Sequence, residues 1–278
     1  MTEPTILKYP RTRHIEGSRH QLGDTPDDQR LADLAGTPLV AEEKVDGANS
    51  GLSFDSSGRL WLQSRGHFLT GGARERHFAL FKTWANVHAP RLHAVLGARF
   101  VVYGEWLYAK HTVFYDALPA YFMEFDVFDR ETGMFLSTEA RRELLFGLPI
   151  VPVPVLHRGP LGGRSALGKL LRPTLYRTPN WKEALLAAAQ ASGSRPDMVE
   201  KQSDMSELAE GLYLKQEEDR RVVDRFKFVR GDFLQTIQGS DSHWHDRPIL
   251  PNGLADGVDI FAPETGVPGA YDDPDAIE

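Results

Sequence analysis

Four short segments of the chain carry residue types that act on phosphate groups. A lysine becomes a nucleophile once it loses its proton, carboxylates bind divalent cations, and paired cations hold phosphate oxygens. Together these groups could hold a nucleotide phosphate and a metal for phosphoryl transfer. The segments are 43–49 (EKVDGAN), 64–66, 103–105 and 210–230, the last of which carries Glu210, Lys215, Arg225 and Lys227.

The last segment has the alternation of a strand with one charged face. Arg225 and Lys227 are two residues apart, so their side chains leave the same face of an extended strand. Phe226 and Phe228 then take the opposite face, toward the core. The pattern predicts a strand that presents two cations to one side.

Strand-like segments surround these residues. Short β-branched and aromatic runs are separated by turn residues, which predicts tight connections between antiparallel neighbours. The fold class is therefore predicted to be α+β, with mainly antiparallel sheets and flanking helices. The predicted strands cover residues 38–45, 50–54, 59–65, 98–108, 121–129, 210–217 and 221–230.

Helices are predicted between these strands from apolar spacing, capping residues and breakers. The Pro- and Gly-rich residues 148–175 are expected to wind around the surface. The predicted helices are 75–95 with an interruption near Pro90, a helix from Ser137 or Thr138 to Gly147, and 181–191.

The net charge of −7 does not describe the body of the protein. Residues 255–278 contain seven acids and no Lys or Arg, so they account for the whole excess. The neutral remainder has both signs available for local patches, and bulk charge excludes no nucleic-acid partner. We predict a polar lead-in at 1–30, one catalytic domain at 31–254 and an acidic, disordered tail at 255–278.

The composition favours a cytoplasmic globular protein. With 41% hydrophobic residues and a mean hydropathy of −0.37, the chain is neither disordered nor fibrous. It has no Cys, which excludes disulfides, thiolate zinc sites and cysteine nucleophiles and fits a reducing compartment. The N-terminal residues lack the apolar core of a signal peptide, and the longest apolar stretch, 144–156, is too short to span a bilayer.

The order of the motifs resembles that of the covalent nucleotidyltransferases, which include the polynucleotide ligases and the mRNA capping enzymes. The K-x-D-G sequence at 44–47 is weak evidence alone, because three fixed residues recur by chance in roughly a few per cent of such chains. Further segments follow it in the family's order. They are Arg65, Tyr103-Gly104-Glu105, the aromatic 121–128, Glu210-Gly211 and Arg225-Phe226-Lys227.

Within this superfamily, the spacing is most similar to ATP-dependent RNA ligases of the type 2, nick-sealing group and their bacterial relatives. Only 51 residues follow Lys227, too few for the OB domain of DNA ligases and capping enzymes. The 43 residues before Lys44 are few for the N-terminal domain of NAD-dependent ligases, which favours ATP as the donor. The resemblance implies an ATP-grasp-like adenylation domain. The family commonly has K-x-K where this chain has Arg225-Phe226-Lys227.

The resemblance implies that Lys44 attacks the α-phosphorus of ATP, releases pyrophosphate and becomes lysyl-AMP. The AMP then passes to an RNA 5′-phosphate, and a 3′-hydroxyl displaces it to seal the strand. The lysine pKa of about 10.4 must fall for this attack. We expect Lys227, Arg225 and a divalent cation to lower it, and the same two cations to hold the α-phosphate. Asp46 would support the lysine turn, so the implied catalytic residues are Lys44, Asp46 and Lys227.

The other site residues are implied in the same way. Glu105 and Glu210 would hold Mg²⁺ or Mn²⁺, and Glu105 could instead bind the ribose. Phe125 would stack on adenine, and Arg65 would contact the ribose or the bound phosphate. The implied nucleotide-binding residues are Glu43, Lys44, Arg65, Glu105, Phe125, Glu210, Arg225 and Lys227.

Structural roles stay open for three of these residues. Glu105 could be an edge-strand acid that faces water, and an aromatic neighbour of Phe125 could stack on the base. Arg225 could pair across the hairpin with Glu217 or Glu218.

Two further sequence patterns resemble known binding motifs, but we do not predict a binding site at either. The sequence of residues 163–170 is close to the P-loop motif but lacks the final Ser or Thr of that motif. The sequence offers no obvious third zinc ligand beside the two histidines at 243–245, so a zinc site is not predicted there.

The predicted function is that of an ATP-dependent RNA ligase in RNA repair, which joins 3′-hydroxyl and 5′-phosphate ends. The alternatives are a DNA ligase or capping-type guanylyltransferase without an OB domain, and an inactive module that binds nucleic-acid ends. Expected partners are RNA ends in a nicked duplex or broken loop and an end-healing kinase or phosphatase, and a monomer is favoured. The basic residues expected to contact RNA phosphates are Arg11, Arg13, Arg19, Arg74, Arg76 and Lys110.

Overall fold

One twelve-stranded sheet organises the molecule. The computed structural model describes residues 5–20, 28–233, 236 and 248–263, with the backbone alone at 73–74. The strands are β1 (Arg13–Ile15), β2 (Asp28–Gln29), β3 (Pro38–Lys44), β4 (Ala48–Phe54), β5 (Leu60–Ser64), β6 (Phe100–Trp106), β7 (Phe122–Asp129), β8 (Met134–Leu136), β9 (Val151–Pro152), β10 (Val155–Pro160), β11 (Gly211–Glu218) and β12 (Arg221–Val229).

The strands are mainly antiparallel, which confirms the predicted fold class. The main path of the sheet is β10-β3-β11-β12-β8-β7-β6-β4-β5, and every neighbouring pair in it is antiparallel. The short β1 joins β12 and β2 in parallel, and β9 joins β7 in parallel. The path brings together strands that are distant in the sequence, so β3 lies between β10 and β11.

Five α-helices are defined within the described residues, and α1 and α2 pack against the sheet. Ser137 caps the second of them, since its hydroxyl accepts a hydrogen bond from the Ala140 amide at 3.2 Å. None of the helices among the described residues is long and apolar enough to cross a membrane. The helices are α1 (Ala79–Leu96), α2 (Thr138–Leu145), α3 (Arg164–Leu170), α4 (Trp181–Ala191) and α5 (Pro196–Lys201), and 3₁₀ turns lie at Leu31–Leu34 and Ala73–Phe78.

The predicted interruption at Pro90 is wrong, because α1 runs through it. Proline removes one helical hydrogen bond and crowds the preceding turn. The helix buries Phe81, Trp84 and Leu92 against β4, β5 and β6, and this packing offsets the local cost.

The expected surface course of residues 148–175 is also wrong in its first part. Val151, Val153 and Val155 are buried and alternate with prolines. β10 forms the edge of the main path beside β3, and a proline is tolerated at such an edge. The near-P-loop sequence forms α3, whose Leu167 and Leu170 pack beneath β3 and β11.

The hairpin of β11 and β12 sets the position of the charged residues. β11 pairs with β3 so that Gly211 lies opposite Lys44. A side chain at Gly211 would clash with the carbonyl oxygen of Phe228 on β12, so only glycine fits there. The Glu210-Gly211 pair is therefore fixed beside the end of β3.

The N-terminal segment packs on the same hairpin. β1 places Arg13 beside Phe226 and His14 beside Lys227. Ile15 and Tyr9 are buried in the core, although the sequence suggested few apolar anchors in this segment. The predicted domain boundaries stay predictions.

Candidate active site at the end of strand β3

Lys44 lies at the last position of β3, against the start of β11. Its Nζ donates a hydrogen bond to Oε2 of Glu210 at 2.8 Å. The same Nζ lies 5.6 Å from the ring centroid of Tyr213, within cation–π range. The lysine is thus held by one carboxylate and one aromatic ring, both from the neighbouring strand region.

The turn after Lys44 is fixed by its aspartate and its glycine. Oδ2 of Asp46 accepts hydrogen bonds from the backbone amides of Thr112 and Val113, both at 2.7 Å. A Cβ at Gly47 would lie 2.6 Å from Cδ2 of Leu107, closer than real Cβ atoms come. The predicted supporting role of Asp46 therefore has a geometric basis: it joins the lysine turn to the loop that follows β6.

Two further carboxylates face Lys44. Glu105 on β6 is 5% exposed, and its Oε2 is buried without a hydrogen-bond partner in the described part of the chain. Burial raises the pKa of Glu105 to about 8, although the charge of Lys44 opposes this shift. Burial likewise raises the pKa of Glu210 to about 7. Burial is the main cause of both shifts, and the charge of Lys44 opposes both.

The charges of the chain by themselves do not produce the expected fall in the pKa of Lys44. Burial favours the neutral amine, but the negative charges of Glu210 and Glu105, with the hydrogen bond to Glu210, outweigh it and raise the lysine pKa. The lysine is therefore a protonated ion-pair partner in this state. A nucleophile at this position needs the carboxylate charges to be neutralised first.

The pair Glu105 and Glu210 fits a divalent cation that is shared with a ligand. No group of three or more His, Cys, Asp or Glu side chains suited to a metal occurs among the described residues. Mg²⁺ typically binds one or two carboxylates and completes its shell with water and substrate phosphates. The partnerless Oε2 of Glu105 provides an acceptor for such an ion.

Lys227 reaches this site from β12. It lies opposite Tyr213 in the hairpin, and a residue opposite another in an antiparallel pair points to the same face. Its charge lowers the pKa of Glu210, although burial is the larger effect and raises it. The structure thus brings Lys227 together with Lys44 and Glu210, as predicted.

Arg225 makes other contacts. Its Nη1 lies 3.3 Å from Oδ2 of Asp126, and the guanidinium stacks over Phe135 at 3.9 Å. The alternative pairing across the hairpin is wrong, because Lys215 lies opposite Arg225 and Glu217 accepts from Thr138. The arginine faces a neighbouring part of the same surface, further along β12.

Glu43 and Arg65 flank the site in different ways. Glu43 alternates to the face opposite Lys44, and its Oε1 accepts a hydrogen bond from Oγ1 of Thr174 at 2.5 Å. Burial raises its pKa to about 7. Arg65 is exposed just after β5, and its charge slightly lowers the pKa of Glu105. The side chain of Glu43 therefore points away from Lys44, so its predicted contact with the nucleotide is wrong, whereas Arg65 borders the site.

Phe125 lies beneath another aromatic ring. It is 1% exposed, and Tyr213 stacks on it with a centroid distance of 5.7 Å and an angle of 23°. Tyr9 packs on it edge-on at 5.0 Å. The face predicted for adenine is thus covered by Tyr213, which the sequence reasoning missed. Its position two residues after Gly211, on the face of Lys44, was the available signal.

A second group of buried charges lies on the same face of the sheet. Lys215 contacts Glu42 and Asp126, both at 2.9 Å, and its side chain is 1% exposed. Arg141 from α2 contacts Glu42 and also Glu124, the latter at 2.8 Å. Glu42, Asp126 and Glu124 were not assigned site roles, and their pairing depends on elements far apart in the chain.

Several predicted features lie outside the described residues. These are the histidines at 243–245, the side chain of Arg74 and residues 264–278 of the acidic tail.

Comparison with known proteins gives a family match and a fold match. Residues 37–229 match a family model described as RNA ligase. No curated protein matches the chain.

The fold match is to solved ligase structures. A Naegleria gruberi RNA ligase mutant with AMP and Mn is 15% identical, with a TM-score of 0.50, over 82% of this chain and 62% of that chain. An archaeal ATP-dependent RNA ligase is 17% identical, with a TM-score of 0.47, over 81% of this chain and 48% of that chain. A putative ATP-dependent DNA ligase from Aquifex aeolicus is 18% identical, with a TM-score of 0.45, over 81% and 50%. The chain thus spans less than two thirds of the length of these proteins, and the Naegleria match confirms the predicted nucleotidyltransferase fold.

Proposed function

The chain belongs to the RNA ligase family, and from this premise we propose that it is an ATP-dependent RNA ligase acting through a lysyl-AMP intermediate. The observation that carries the proposal is the placement of Lys44. Its Nζ lies 2.8 Å from Oε2 of Glu210, it interacts with the charge of Glu105, and Lys227 lies on the same face of the sheet. Transfer of AMP from ATP needs an amine as nucleophile, carboxylates that can bind a metal ion, and a cation near the phosphate. Lys44, the pair Glu105 and Glu210, and Lys227 are such groups.

In the first step, the neutral Nζ of Lys44 attacks the α-phosphorus of ATP. A P–N bond forms, the P–O bond to the β-phosphate breaks, and pyrophosphate leaves. The ammonium must first lose its proton, and its ion pair with Oε2 of Glu210 opposes this until the carboxylate is neutralised. Lys227, on the same face, would stabilise the charge that develops on the α-phosphate.

Glu105 and Glu210 would hold Mg²⁺ or Mn²⁺ together with the nucleotide phosphates. The bound ion supplies positive charge for the leaving pyrophosphate. Such an ion would also change the pKa of Lys44, because Lys44 interacts with both carboxylates. Once the two carboxylates are neutralised, the charges that raise the lysine pKa are gone, and burial then favours the neutral amine.

The later steps use the same site. An RNA 5′-phosphate oxygen attacks the lysyl-AMP phosphorus, the P–N bond breaks, and the 5′ end becomes adenylylated. A 3′-hydroxyl then attacks that 5′-phosphate and forms the new phosphodiester bond. The bond between this phosphate and AMP breaks, and AMP leaves. We assign this reaction to RNA repair in the cytoplasm, on ends produced by a kinase or phosphatase.

Incubation of the purified protein with α-labelled ATP and Mg²⁺, followed by a denaturing gel, tests the proposal. Protein treated beforehand with pyrophosphate, which removes any bound AMP, should become labelled, while labelled GTP should give no adduct. The adduct should then seal a nicked RNA duplex. Labelling by GTP alone would assign the protein to the capping type, sealing of DNA nicks alone would make it a DNA ligase, and absence of label would reject the proposal.

A further inference from the structure

A charged cavity of about 270 Å³ lies beside β12, outside the lysine site. Arg11 and Arg13 line it from the N-terminal segment, and Arg225 and Asp224 line it from β12. Its apolar wall includes Phe135 of β8. Three arginines against one aspartate make the lining positive.

Two of the arginines are held in fixed orientations. Arg13 pairs with Asp224 and donates to Oε1 of Gln29 at 3.3 Å. Arg225 is oriented by Asp126 at 3.3 Å and by the ring of Phe135. A guanidinium has five N–H donors, so an aspartate contact of this kind leaves donors for phosphate oxygens.

The cavity adjoins the lysine site along a single strand. Arg225 and Lys227 lie on the same face of β12, two residues and roughly 7 Å apart. β1 runs parallel to β12 and places Arg13 beside Phe226 and His14 beside Lys227. One step of roughly 7 Å along β12, from Lys227 to Arg225, therefore joins the site of AMP transfer to the cavity. Arg13 enters the cavity from the other face of β12, where its guanidinium lies over the ring of Phe226.

We infer that this cavity binds the phosphodiester backbone of the RNA strand whose end is joined at Lys44. The arginines would contact a phosphate, and the side chains of Met134 and the exposed Val223 offer an apolar surface for the adjacent nucleoside. The inference rests on the proposed function, since it names where that function's substrate is held. A small anion would use the charge but not the apolar wall.

The test is RNA binding by the double variant Arg11→Ala/Arg13→Ala. Affinity for a 5′-phosphorylated RNA oligonucleotide should fall roughly tenfold at moderate salt, and the slope of log affinity against log salt should decrease by about 0.7 for each lost phosphate contact. Labelling by ATP should be unchanged, because neither arginine belongs to the lysine site.

The matched control is Arg30→Ala/Arg195→Ala. These two arginines are 73% and 75% exposed, and each pairs with a nearby aspartate, so the same charge is lost elsewhere. Equal loss of RNA affinity in the control would overturn the inference. So would unchanged affinity in the cavity variant, or full competition by inorganic phosphate at the concentration of the RNA.

A second variant covers the case in which the loss of Arg13 unfolds the N-terminal segment. Asp224→Asn keeps both arginines and removes the carboxylate that pairs with Arg13. RNA should bind more tightly to it, and unchanged or weaker binding would contradict the inference. Failure of the proposed function looks different: wild-type protein would take no label from ATP, whatever the cavity variants do to RNA affinity.

Discussion

Two groups of buried charges on one face of the sheet differ in how completely they are balanced. In the first, Glu42, Glu124 and Asp126 each lie within ion-pair distance of Lys215 or Arg141. In the second, Glu210 has Lys44, but Glu105 has no ion-pair partner within the described part of the chain, and its Oε2 is buried there without a hydrogen bond. The sequence spacing links them, because Glu42 and Lys44 are two residues apart on β3.

The difference separates charges that hold the fold from charges that await a ligand. Removing one partner from a closed buried network leaves an uncompensated charge, so such networks act on stability. A carboxylate left without a partner is costly unless a ligand supplies the missing charge. We therefore expect substitutions in the first group to act mainly on unfolding and those in the second to act mainly on AMP transfer.

The largest effect is expected for Lys44→Ala. Adduct formation with labelled ATP should be lost completely, since no other group supplies the attacking nitrogen. The free energy of unfolding should change by about 1 kcal/mol or less, because the carboxyl of Glu210 can take up a proton when its partner is lost. The control is Lys182→Ala, a half-exposed lysine on α4. If the Lys44→Ala protein still became labelled, the assignment of Lys44 as the nucleophile would be wrong.

Next in size is Lys215→Met in the closed network. Glu42 and Asp126 would each lose a cation in a fully buried setting, so we expect the free energy of unfolding to fall by about 3–5 kcal/mol. Urea unfolding measures this against Lys169→Met, which changes an exposed lysine of α3. If Lys215→Met kept full stability but lost AMP transfer, the first group would act on catalysis and not on the fold, which would contradict the distinction between the two groups.

A smaller effect concerns pH and Mg²⁺. At limiting Mg²⁺, the rate of adduct formation should rise with pH, because the carboxylates raise the pKa of Lys44 and the protonated form is inactive. Saturating Mg²⁺ should move the midpoint down by about one pH unit, equivalent to about 1.4 kcal/mol. In Glu210→Gln, the midpoint at limiting Mg²⁺ should already be lower, and Mg²⁺ should shift it less. A midpoint independent of Mg²⁺ in the wild type would contradict this account.

The smallest effect is expected on stability in Glu105→Gln. The pKa of Glu105 is raised to about 8 by burial, so between about pH 4.5 and 8 the folded state binds more protons than the unfolded state. This residue thus makes stability fall as pH rises, by at most about 1.4 kcal/mol per pH unit. Glu105→Gln should remove that slope, so its gain in stability over the wild type should grow as the pH rises from 5 to 8, while AMP transfer falls.

Denaturation at pH 5 and pH 8 measures this slope, with the exposed Glu139→Gln on α2 as the matched control. An unchanged slope in Glu105→Gln would show that Glu105 is already neutralised by a partner in the folded protein.

Local patterns predicted the elements that carry the site. The hairpin of β11 and β12, the strand that ends at Lys44 and the helix capped by Ser137 all follow from alternation, turns and capping residues. Motif order predicted that Lys44, Glu210 and Lys227 would meet. The glycines explain part of this success, since a side chain at Gly47 or Gly211 would collide with a neighbouring element.

The sequence by itself determined which residue types lie on which face of each strand, because alternation is a property of the backbone. The tertiary structure alone decided their partners. Asp126, 99 residues from Arg225 in the sequence, orients that arginine, and Tyr213 covers Phe125 across the sheet. The sign of the pKa shift of Lys44 was also decided there, since it depends on the distances to Glu210 and Glu105. Coulomb energies vary with separation and burial, and neither quantity can be deduced from spacing along the chain.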